Sequence, residues 1–145
     1  DGFWANGMGA EVALRRGAGT MVIDARRGDG PPNAFNYTMP ALITSQAMID
    51  DDPEACGAAV RAINKTHDAL KNNIELATEV GQKLFPEAEA KLIADVVKRD
   101  LPYYSTAISE DFVRGMNAFQ KAVGIVENDV SYEQAVSLDF SKYWK

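Results

Sequence analysis

One cysteine, Cys56, and one histidine, His67, are all that the chain holds of the two residue types most used as metal ligands and nucleophiles. A single Cys excludes an internal disulfide, and one Cys with one His cannot build a structural zinc site. No metal, cofactor or catalytic residue is expected. Positive charge is also scarce. Lys and Arg number 15 against 21 Asp and Glu, for a net charge of −6 and a pI near 4.8. No basic stripe interleaved with aromatics is present, which argues against a nucleic-acid partner. Arg15-Arg16 and Arg26-Arg27 are isolated pairs that read as a solvated helix end and a solvated turn. No apolar run reaches the length of a transmembrane helix, and no internal repeat or signal peptide is visible. The chain begins at Asp1 and so reads as processed or truncated.

What is there is ordinary for a soluble globular protein: 46 % hydrophobic and 25 % charged residues over 145 positions, enough for one domain. The opening stretch organises the rest. Phe3 and Trp4 read as the end of a buried strand, and Asn6, Gly7 and Gly9 break it. Ala10, Val12, Ala13 and Leu14 begin a helix that closes on Arg15-Arg16 and Gly17. Strand, small-residue loop and helix in that order aim free backbone N–H groups at whatever sits above the loop. Trp4 adds a flat apolar wall.

Thr20-Met-Val-Ile-Asp-Ala25 is a nearly continuous apolar run, read as a strand buried on both faces. Arg26 to Asn33 holds two glycines and two prolines, the marks of a crossover or hinge. Its Arg-Gly-Asp matches a cell-adhesion tripeptide that is common by chance. The segment from Phe35 to Ser45 reads as extended, with Pro40 demoting it to an edge strand.

Helices then follow one another. Ser45 to Asp51 can form a short one. Asp52-Pro53-Glu54 is a strong start for a long one, with Cys56, Ala59, Val60, Ile63, His67 and Leu70 along one face. A second carries Ile74, Ala77, Val80, Leu84 and Phe85. A third runs from Pro86 to Leu101-Pro102. Ser109 caps a fourth, striped by Phe112, Met116, Phe119 and Val123 and ended by Gly124. Ser131-Tyr-Glu-Gln134 has the form of a capping box, and the aromatic tail from Leu138 to Lys145 is expected to dock. Three short strands before about a hundred helical residues make a marginal sheet. The expected class is therefore α/β, with strands missing, as in the C-terminal part of a larger α/β protein.

The residues Asp1-Gly-Phe-Trp, the helix ending in Arg-Arg-Gly, the run Thr20–Ala25, Asp52-Pro53-Glu54, Leu101-Pro-Tyr-Tyr and Met116-Asn-Ala-Phe119 carry a likeness. Together they resemble the C-terminal half of bacterial solute-binding proteins of the nitrate/sulfonate/taurine and thiamine-pyrimidine group, which serve ABC importers. The resemblance spans the chain as many weak features with no single diagnostic motif. It implies part of a type II periplasmic-binding fold: residues 1–27 ending lobe two, 28–38 as hinge crossover, and 39–145 as the mainly helical remainder of lobe one. It also implies a small solute and an ABC permease as partners, a periplasmic or lipid-anchored extracellular location, and an absent N-terminal half. Trp4, Asn6, Gly7 and Tyr37 are the ligand-binding candidates. The acidic residue and proline frequent in the family at this place are replaced by Ala5-Asn6-Gly7, which leaves the ligand class open.

Two other readings stand beside it. One is a pyrimidine-related enzyme of the same fold. Against it, His67 reads as a core or helix-end residue, Cys56 lies about three turns away on the same helix, and Glu11 has no second carboxylate placed beside it. The other is a helical interaction domain without a ligand. Exposed strand edges are further expected to promote self-association, or retention of the missing half.

Overall fold

The computed structural model describes residues 1–5, 7–30 and 40–145. It contains helices α1 (Gly7–Arg15), α2 (Gln46–Asp51), α3 (Pro53–Asn72), α4 (Glu75–Leu84), α5 (Glu87–Asp100), α6 (Glu110–Ala122) and α7 (Tyr132–Ala135). Short 3₁₀ turns cover Ala25–Arg27, Leu101–Tyr103 and Leu138–Tyr143.

The expected α/β arrangement is overturned: no strand occurs among the described residues, and the architecture is helical. The physical reason is pairing. A strand is stabilised by a neighbour, and parallel strands need cover on both faces. Among the described residues no strand pairs with the apolar runs at 1–5, 18–24 and 40–45, which lie outside any helix. Their side chains stay in solvent: Trp4 and Val22 are each 87 % exposed and Ile43 86 %. The anticipated strand at 20–25, buried on both faces, is therefore wrong on both counts. Of that run only Asp24 is buried, held by Arg27 at 3.2 Å.

The helices follow local sequence closely. Asp52 Oδ1 accepts from the Ala55 N–H and so caps α3 ahead of Pro53. The hydroxyls of Ser45 and Ser109 cap α2 and α6. Ser131 and Gln134 form the full reciprocal capping box of α7. Two glycines stop helices in the left-handed region. Gly17 (φ 66°) follows α1 and Gly124 (φ 74°) follows α6. Beyond each, the next N–H reaches back to the last turn: Ala18 to the Ala13 carbonyl, Ile125 to that of Gln120.

The chain divides into two compact units, Asp1–Arg27 with Thr66–Tyr104, and Gly28–Lys65 with Ser105–Lys145. In the first, α4 and α5 form a helical hairpin whose core is Gly81, Ala90 and Leu92. Gly81 allows the close approach: a Cβ built there would lie 2.7 Å from Ile93 Cδ1. α1 packs on α5. In the second unit, α6 packs with α7, and the expected docking of the tail is present. Phe140 is buried, and Tyr143 seats over Gly57 beneath the Arg61 guanidinium, 5.0 Å from its ring centre. Asn64 Nδ2 donates to the Tyr143 carbonyl.

The buried faces are rotated from those expected. On α3, Ile63 is exposed and Asn64 is buried, in line with Cys56 and Gly57. On α6, Phe119 and Val123 are exposed, while Val113 and Asn117 are buried. Asn117 holds both polar groups of Val130. Its Nδ2 donates to the Val130 carbonyl at 2.8 Å, and its Oδ1 accepts from the Val130 N–H at 3.1 Å.

Candidate functional site

The opening stretch differs from expectation in one useful way. α1 begins at Gly7, so Gly7 to Gly9 form its first turn and not a loop before it. The N–H groups of that turn have no partner inside the helix. No acidic residue stands in the turn to offset the positive end of the dipole. Trp4 lies just ahead with its indole open to solvent. Phe3 turns toward Gly19, where an added Cβ would lie 3.8 Å from the ring. Trp4 and Gly7 are thus neighbours in sequence at the head of α1. The other two candidates, Asn6 and Tyr37, fall outside the described residues.

Glu11 is tied up structurally. Its carboxylate is buried and accepts from Arg99 Nη1 at 2.7 Å. The same guanidinium donates through Nε and Nη2 to both oxygens of Asp100, at 2.6 and 2.9 Å. These bonds, to Asp100 first and then to Glu11, hold the Arg99 pKa well above its ordinary value. The cluster brings two carboxylates together, yet both are occupied by one permanent cation, which does not suit them for proton transfer. Nothing local announced it, since Glu11 and Arg99 are 88 residues apart.

His67 is half-buried, its ring centre 5.5 Å from that of Tyr104. Burial lowers its pKa first, the Lys71 charge lowers it further, and Asp68 opposes both. It is therefore neutral near pH 7. Cys56 donates weakly to the Met48 carbonyl at 3.8 Å and is buried. Eleven positions separate Cys56 from His67 on α3, ~16 Å along its axis, so the pair cannot act together on one bond.

A shallow groove of ≈ 450 Å³ runs along α6, lined by Val113, Arg114, Asn117, Lys121, Asp129 and Val130 among others. Its two cations already face carboxylates, Arg114 with Asp111 and Lys121 with Asp129 at 2.7 Å. No group of three or more His, Cys, Asp or Glu side chains able to hold a metal occurs among the described residues. None of their helices is long and apolar enough to cross a membrane. The candidate site is thus the head of α1 with Trp4. Comparison with protein-family models, with characterised proteins and with solved structures finds no match for the chain.

Proposed function

We propose that this chain belongs to the solute-binding component of an ABC importer and helps capture a small anionic or pyrimidine-like solute. Trp4 packs against the flat side of that solute. The N–H groups at the head of α1 receive its anionic end. Cover for the apolar runs at 1–5, 18–24 and 40–45 comes from further polypeptide, and a membrane permease takes the solute on. The component works in the periplasm or tethered outside the cell, and does no chemistry on its cargo.

One observation carries the reading. Outside the helices, Phe3, Trp4, Val22, Ile23, Leu42 and Ile43 are all left in solvent. Two large apolar residues on each of three short non-helical runs are left for another surface to cover. The likeness of these same runs to importer solute-binding proteins supplies the chemical class.

A helical interaction module is the second reading, favoured by Val80, Leu84 and Phe85. Val80 and Leu84 stand four apart on one exposed face at the end of α4, with Phe85 just beyond it, anchors of the kind a helix docking in a groove presents. Calorimetric titration of the native protein with nitrate, taurine and a pyrimidine separates the two. Fluorescence in a Trp144→Phe background isolates the Trp4 signal. Saturable heat with a Trp4 emission change supports solute capture, and Trp4→Ala should weaken it by about tenfold or more. No heat with any of the three, and no change in Trp4 emission, overturns it in favour of the module.

A further inference from the structure

Two ion pairs fasten α1 along α5. Glu11 meets Arg99, and Arg15 meets Asp95. Glu11 and Arg15 stand four apart on α1, and Asp95 and Arg99 stand four apart on α5. The lower number on one helix meets the higher on the other, so the helices run antiparallel. Four-residue spacing places both pairs on one seam. The pairs are unequal. The inner one is largely buried, with side-chain exposures of 25 % for Arg99 and 11 % for Glu11. The outer one is open to water, at 56 % for Arg15 and 67 % for Asp95. α1 meets α5 less extensively than α4 does, and its Val12, Ala13 and Leu14 are only half-buried. α4, by contrast, docks on the same α5 through Gly81, Ala90 and Ile93.

We propose that α1 is a charge-latched arm, whose hold on α5 is set by ionic strength and whose release begins at the Arg15 end. Salt screens exposed charges beyond about 3 Å at 1 M, against about 10 Å at 0.1 M, and screens buried pairs far less. Rising salt therefore opens the outer lock while the inner one still holds. The inference stands on the ion pairs and does not depend on the solute reading.

Amide hydrogen exchange on the native protein tests it, with α4 as the internal reference because it shares α5 as its partner. The reporters are the N–H groups of Arg16, Gly17 and Ala18, which bond back to Val12, Leu14 and Ala13. From low salt to 1 M NaCl their exchange should rise by about threefold relative to α4, the worth of an exposed pair. Asp95→Asn, at an exposed position, should abolish that salt response. Arg99→Met should speed exchange along all of α1 by about tenfold or more. Salt-independent exchange in the unaltered chain, or a salt response that survives Asp95→Asn, overturns the proposal. If Arg99→Met also loosens α4, the unaltered chain and Asp95→Asn decide the matter.

Discussion

Adding one methyl group at Gly81 probes the α4–α5 hairpin at its tightest point. A Cβ there would meet Ile93 Cδ1 at 2.7 Å, and the Cα and Cβ of Ala90 at 3.6 and 3.7 Å. The Ala90 distances are ordinary contacts, whereas Cδ1 must retreat by almost 1 Å to reach a normal carbon–carbon separation. Two terms oppose each other. Alanine in place of glycine inside a helix stabilises by about 1 kcal/mol. Ile93 is half-buried and Cδ1 is the free end of its side chain, so moving it aside costs about 1 kcal/mol. Gly81→Ala should therefore leave stability within about 0.5 kcal/mol of the unaltered chain. Ile93→Val removes Cδ1 itself and costs about 1 kcal/mol alone. In that background only the helical gain is left, and Gly81→Ala should stabilise by about 1 kcal/mol. The double-mutant cycle thus carries a coupling of about 1 kcal/mol, read from urea unfolding of the four proteins. If Gly81→Ala has the same effect in both backgrounds, the two side chains do not meet as described.

Two further outcomes follow from other parts of the molecule. Asn117→Ala strips both hydrogen bonds from Val130. At about 1 kcal/mol each it should lower unfolding stability by about 2 kcal/mol, and an unchanged urea midpoint would remove Asn117 from the scaffold. Because the His67 pKa lies below 6.5 in the fold, the folded chain binds fewer protons than the unfolded one in the window beneath 6.5. This contribution to stability is complete above 6.5 and is lost as pH falls, so His67→Gln should flatten the fall of Tm between neutral and mildly acidic pH. A slope unchanged by His67→Gln would assign that pH dependence to other groups.

Helices were legible in this chain because their signals are local. Asp52-Pro53-Glu54, Ser109 and the Ser131–Gln134 box each act within one turn, and each caps the helix expected. The apolar faces were less legible. Asn64 and Asn117 take buried places that Ile63 and Phe119 were expected to hold: the distant Tyr143 carbonyl accepts from Asn64 Nδ2, and the Val130 backbone satisfies both polar groups of Asn117. Glycine carries no apolar signal, so Gly57 and Gly81 could not be recognised as the points of closest approach. Strand character at Thr20–Ala25 was a statement about partners, and the described residues supply none. Of the candidate site, Trp4 lies in solvent where the end of a buried strand was expected, and Gly7 opens the helix that was expected to begin three residues later. The Glu11–Arg99–Asp100 cluster could not be foreseen, since it joins residues far apart along the chain.

The seat of Tyr143 over Gly57 and Asn64 has a meaning in time. Asn64 and the carbonyl that covers it are 79 residues apart. A ribosome adding about 5–20 residues per second makes Asn64 roughly 4–16 s before it makes Tyr143. Throughout that interval the Gly57–Asn64 face of α3 is made but uncovered. Segments held open in this way are what chaperones bind during synthesis. Changes that weaken the tail contact should therefore lower the yield of folded protein in the cell more than they lower the stability of the finished molecule.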